Sequence, residues 1–174
     1  MNRISEIKKH ISDEWSQFET LLIQTLNSKS ILLNKINGYL FETSGKQIRP
    51  LLAFVSAMAG SGVINEQTVA CATASELIHT ASLLHDDVVD NSDQRRGHTT
   101  VSRLFSPGAS ILLGDFWLTR ALALLLEKRC SNEVLKCYAG TLEELAEGEM
   151  MQMDFADSLT TTIDDYYNII ERKT

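Results

Sequence analysis

Proline is nearly absent from this 174-residue chain, with only Pro50 and Pro107 present, and glycine occurs nine times. Together with the lack of strict apolar–polar alternation, this leaves strands little support and points to an all-α chain. Cysteine is also sparse. Cys71, Cys130 and Cys137 are odd in number and lack CxxC spacing, so neither a disulfide framework nor a zinc knuckle is expected; they read as buried free thiols of a reducing compartment. Positive charge is in deficit, 16 Lys and Arg against 23 Asp and Glu for a net charge of -7, which excludes a general nucleic-acid binder. Long apolar runs are missing too. The longest, Ala121 to Leu126, is too short to span a bilayer, and charges are scattered through Met1 to Ser30, so no stable membrane insertion and a cytoplasmic location are expected.

With 44% hydrophobic and 22% charged residues, the composition fits one domain over 1–174 with a sizeable core. Ile4, Ile7, Ile11, Trp15, Phe18, Leu22 and Leu26 step by three or four residues, predicting one long first helix. A second is expected over about 30–41 and a third over 51–59, with Pro50 in its first turn. The small, apolar stretch from Asn65 to Asp90 reads as a central helix surrounded by others. Residues 92–102 read as a loop, followed by helices over about 107–129, 131–155 and from Thr161 or Thr162 onward, the last with capping-box character.

The end of the central helix carries the chemistry. Asp86 and Asp90 lie one turn apart on one helical face with Asp87 beside them, so the spacing predicts converging carboxylates. Three hard oxygen ligands on a shallow rim suit Mg²⁺, which takes its remaining ligands from water and substrate phosphate. The stripe His79, Ser82, Asp86, Asp90 is expected to line a single wall. The plainer alternative is a solvated acidic helix end, which opposes the helix dipole. Arg95 and Arg96 favour the metal–diphosphate reading, because paired guanidiniums grip phosphate oxygens bidentately. A second basic element, GKQIRP at 45–50, has neither the glycine nor the hydroxyl spacing of a nucleotide P-loop.

Taken together, GKQIRP, HTASLLHDDVVD at 79–90, QRRG at 94–97, LGD at 113–115, EGEMMQ at 147–152 and YNIIERKT at 167–174 resemble the trans-type isoprenyl diphosphate synthases, the polyprenyl synthetase family. The resemblance implies an all-α helical bundle around a central cavity. It also implies Mg²⁺-dependent head-to-tail condensation of an allylic prenyl diphosphate with isopentenyl diphosphate. On that pattern Asp86, Asp87 and Asp90 would hold the metal and Arg95 would touch the allylic diphosphate. Lys46, Arg49, His79 and Arg96 would form the isopentenyl diphosphate pocket, while Gln152, Lys173 and Thr174 would border the allylic substrate, with Lys173 counted among the catalytic residues. Small Ala81 and Ser82 beneath the aspartates imply a deep tunnel and a long, octaprenyl-type product, with Phe116 or Trp117 as alternative floors. Homodimerisation is expected from the resemblance alone.

The family's second aspartate-rich motif is missing. Asp164, Asp165 and Asn168 imitate one, but their place at the start of the last helix makes capping the better explanation. The last helix carries no stop signal before Thr174, so the fold is expected to be incomplete, an N-terminal portion that is inactive alone and pairs with the absent half or another subunit. A non-catalytic subunit of a heteromeric synthase is the competing reading. A class I terpene cyclase also uses DDxxD, but does not need the second basic pocket.

Overall fold

The apolar stripe of the first thirty residues forms two helices, α1 (Arg3–His10) and α2 (Ser12–Leu26), in a computed structural model that describes residues 3–156 and 160–173. The single long helix expected from the spacing is broken at Ile11, whose backbone leaves helical angles (φ -122°, ψ 34°). His10 bonds the Glu6 carbonyl at 2.8 Å and so ends α1, while Asp13 and Glu14 favour a fresh helix start next to the dipole's positive end. Ile11 itself is buried. The stripe therefore predicts the buried residues from Ile11 to Leu26 correctly, but Ile7 is exposed and Ile4 half-buried, and the continuity fails because a helical period survives a one-residue kink.

Helix α3 (Ile31–Glu42) is capped by the Ser30 hydroxyl, which accepts from the Leu33 amide at 3.3 Å. Helix α4 (Ile48–Gly60) starts three residues earlier than expected, placing Pro50 in its first turn. Asn65 opens α5 (Glu66–Val89) through a reciprocal capping box with Thr68. Along α5, Ala70, Ala72, Thr73, Ala74 and Ala81 are fully buried, so neighbouring backbones approach closely and α2, α4 and α7 (Pro107–Glu127) pack on it. Trp15, Phe18 and Phe54 form an aromatic cluster between α2 and α4, with ring centroids 5.1 to 6.4 Å apart. Polar groups in this core are paired. Trp117 Nε1 donates to Asn37 Oδ1 at 2.9 Å, and Asn37 donates onward to the Leu26 carbonyl at 3.0 Å.

The stretch read as a loop, 92–102, contains a minimal hairpin, β1 (Gln94–Arg95) against β2 (His98–Thr99), and leads into α6 (Val101–Leu104). Arg96 and Gly97 both have positive φ, 54° and 82°, as a two-residue type I′ turn requires. Sequence periodicity cannot reveal strands of two residues.

Helix α7 is, by length and composition alone, long and apolar enough to cross a membrane, a test that the core helix of a folded domain also passes. Its Leu113, Trp117, Ala121, Leu124 and Leu125 are buried, and Asp115 and Arg120 interrupt it. The cysteines differ from one another: Cys130 is buried, Cys71 half-buried and Cys137 exposed, so uniform burial was wrong.

Two compact units divide the chain, Met1–Arg129 and Cys130–Thr174. In the second, α8 (Asn132–Ala156) packs with α9 (Ile163–Lys173). Gly148 permits this approach: a Cβ there would lie 2.9 Å from Lys173 Cγ and 3.0 Å from Arg172 Cβ. Thr162 and Asp165 form the capping box of α9, their reciprocal bonds 2.8 and 3.2 Å long. The Thr162 hydroxyl and amide hold the Asp165 carboxyl below its usual range, as befits a cap.

Candidate active site

One face of α5 forms the wall of a cavity in the first unit. Glu76, His79, Thr80, Leu83, Leu84 and Asp87 recur at three- and four-residue steps and line it, opposite residues of the α3–α4 segment and the arginine hairpin. This face shares only His79 with the stripe expected from sequence. The reason is rotational: successive helical residues are about 100° apart, so Asp87 points away from the direction of Asp86 and Asp90.

Asp87 is therefore buried, 4% exposed, and its carboxylate meets Arg95 Nε at 2.7 Å. Asp86 is half-buried and Asp90 exposed at the end of α5. The structure does not gather the three carboxylates, and among the described residues no three His, Cys, Asp or Glu side chains are grouped as metal ligands. Asp86 and Asp90, one turn apart on one face, still fit Mg²⁺, which is commonly bound through one or two carboxylates plus substrate phosphate. His85, immediately before Asp86, is committed elsewhere. Its Nε2 lies 3.3 Å from Asp115 Oδ1 and 3.2 Å from the Ile111 carbonyl. Gly114 makes this possible, since a Cβ there would come within 2.3 Å of the His85 ring.

The cavity is strongly cationic on its loop side. Arg95 and Arg96 line it, and Lys46 and Arg49 flank it from the exposed start of α4, next to Gln47 in the left-handed region (φ 52°). Arg96 lies against Gly45 so closely that a Cβ there would fall 1.8 Å from its Nη1. The first glycine of GKQIRP thus makes room for the guanidinium of QRRG. Burial, followed by the fields of Arg49, Arg96 and Arg95, lowers the His79 pKa to about 4. Burial pushes the Glu76 carboxyl up, opposed by Arg49, Arg96 and Lys8. Excess positive charge around a neutral imidazole is an arrangement that an incoming anion would stabilise.

Of the residues tied to chain length, Ala81 is fully buried, and Ser82 is half-buried with its hydroxyl donating to the His79 carbonyl at 2.9 Å. Phe116 is half-buried; Trp117 is buried and lines the cavity. In the second unit, Lys173 Nζ bonds Gln152 Oε1 at 2.7 Å and pairs with Glu149 at 2.5 Å. Thr174 lies outside the described residues.

Sequence reasoning missed Glu76, which the helical period places one turn before His79, and Tyr39, which no local pattern singles out. It also missed the Asp87–Arg95 pair, whose partners belong to different elements.

A polyprenyl synthetase sequence profile matches residues 30–174. The chain belongs to this family. Similar members include the octaprenyl diphosphate synthases of Haemophilus influenzae, 39% identical over 98% of this chain and 51% of the relative, and of Escherichia coli, 35% identical over 98% and 52%. Among solved polyprenyl synthetase structures, a decaprenyl diphosphate synthase from Rhodobacter capsulatus superposes with TM-score 0.91 at 32% identity, over 98% of this chain and 52% of that one. A polyprenyl synthase from Caulobacter crescentus, complexed with calcium and isoprenyl diphosphate, gives 0.90 at 32% identity with the same coverage. The chain spans about half the length of the curated relatives it matches.

Proposed function

We propose that this polyprenyl synthetase takes part in condensing an allylic prenyl diphosphate with isopentenyl diphosphate to give a long all-trans polyprenyl diphosphate. The observation that carries the reading is the cavity where Arg95 and Arg96 face His79, flanked by Lys46 and Arg49, beside the half-buried Asp86 and the exposed Asp90 at the end of the helix that carries His79. A site built for two diphosphates needs both halves, since two polyanions approach only where cations separate them.

In this reading the cavity holds isopentenyl diphosphate. Arg96 and Arg49 bind its phosphate oxygens, Lys46 adds a point charge, and His79 faces the same space as a neutral ring. Asp87 keeps Arg95 extended along the cavity wall. Asp86 and Asp90 would hold Mg²⁺ at the rim, where bound metal supplies charge stabilisation to a departing diphosphate. The class of reaction then joins the isopentenyl double bond to the allylic carbon, with loss of diphosphate and one proton.

An octaprenyl-type length is supported by the names of the two relatives described above and by small Ala81 and Ser82 below the aspartates. Other relatives act at other lengths, including nonaprenyl and geranylgeranyl, so length is the finer part of this proposal. A homodimer, or pairing with further helices that complete the cavity, is proposed on the same family grounds, as is a cytoplasmic site of action.

The deciding experiment supplies Mg²⁺, farnesyl diphosphate and labelled isopentenyl diphosphate to the chain, and to a form lengthened to the size of its relatives, then sizes the products. Elongation that is lost on Asp90→Asn supports the reading. Failure of both forms to elongate, with no isopentenyl diphosphate bound by the chain, sinks it.

A further inference from the structure

The paired arginines ride on a hairpin with two residues in each strand, and a ribbon that short is not stable by itself. Its turn holds Arg96 at φ 54°, a left-handed conformation that a non-glycine residue enters at a cost. The hairpin must be held from outside. One tether is the Arg95–Asp87 pair to α5. A second closes the base, where the buried Thr100 donates its hydroxyl to the Ser92 carbonyl at 2.7 Å. The third comes from α3, sixty residues away in the chain. The Tyr39 phenol donates to the Thr99 carbonyl at 2.6 Å. Tyr39 also lines the cavity, so its hydroxyl joins the α3 side of the pocket to the strand that follows Arg96.

We propose that Tyr39 is a positioning residue for the diphosphate pocket: by holding the Thr99 carbonyl it keeps the hairpin seated, so that Arg96 meets isopentenyl diphosphate already in place. The inference rests on the functional reading above and adds a residue to it. Without the hydroxyl the hairpin spends part of its time unseated, and apparent affinity falls by the fraction of chains that remain competent. One neutral hydrogen bond shifts such an equilibrium by about two- to tenfold.

The test is Tyr39→Phe in the 174-residue chain, which removes the hydroxyl and keeps the ring. Isopentenyl diphosphate is titrated calorimetrically, and amide hydrogen exchange is followed along the chain. The expected result is a Kd weakened about two- to tenfold. Faster exchange should be confined to residues 94–99, with α5 and the thermal midpoint unchanged. In an Arg96→Ala background the same substitution should change affinity no further, because it acts through Arg96. An unchanged Kd in Tyr39→Phe, loosening throughout the unit, or full additivity with Arg96→Ala each overturns the proposal. If the unaltered chain binds no isopentenyl diphosphate, the functional reading falls and the proposal with it, whereas normal binding by both forms removes the proposal alone.

Discussion

Replacing Arg95 by methionine leaves the Asp87 carboxylate buried without its cation, and the cost follows from where the two groups lie. The Asp87 side chain is 6% exposed and Arg95 34% exposed, with 2.7 Å between Nε and Oδ1. Removing one member of a fully buried pair costs about 3–5 kcal/mol, because the remaining charge loses its partner and stays desolvated. Arg95 is a third exposed, so water already screens part of the attraction, and about 2 kcal/mol is the expected loss. Asp87→Asn should cost less, about 1 kcal/mol, since the guanidinium left behind reaches solvent. The double variant should recover part of the loss, with a coupling of about 1 kcal/mol. Urea unfolding at pH 7 reads all four forms, and the midpoint should move with no change in slope. If Arg95→Met is as stable as the unaltered chain, or the two changes add fully, the buried pair does not hold the hairpin and the account of Asp87 is wrong.

Three further outcomes are expected. His79 has a folded pKa of about 4 against 6.5 for the free group, so the fold favours the neutral ring. Its contribution to stability is complete above pH 6.5 and declines as pH falls toward 4, by about 2 kcal/mol once partial exposure is allowed for; His79→Gln should flatten this interval in unfolding curves taken across it. Gly45→Ala places a Cβ 1.8 Å from the present position of Arg96 Nη1, so the exposed guanidinium must move. Isopentenyl diphosphate should bind about tenfold more weakly by calorimetry while the thermal midpoint holds, because a flexible surface side chain gives way at little cost. Cys137 should react rapidly with a thiol reagent while Cys130 stays protected until the chain unfolds, and equal rates in native buffer would contradict the burial pattern.

The helices were largely legible because each announces itself locally. The three- and four-residue apolar steps, Asn65 and Ser106 as caps, Pro107 at a first turn and the Thr162–Asp165 box depend on residues within one or two turns of each other. The break at Ile11 was not legible, since the same period runs through it, while the His10–Glu6 bond and the acidic first turn of α2 mark the division. The 94–99 hairpin escaped for a related reason: strands of two residues show no alternation, and an arginine in the left-handed region is not a standard turn signal.

At the site, local spacing set which charged groups stand near one another along the chain: the aspartates at the end of α5, the two arginines after them and the basic loop before α4. Those follow from helical spacing and short connections. Tertiary structure alone decided which of them meet. It turned Asp87 inward to Arg95, laid Arg96 over Gly45, surrounded His79 with guanidiniums and tied the hairpin to Tyr39. Each of these depends on the relative placement of elements brought together by burying their apolar faces, and a short-range period carries no information about a partner sixty residues away.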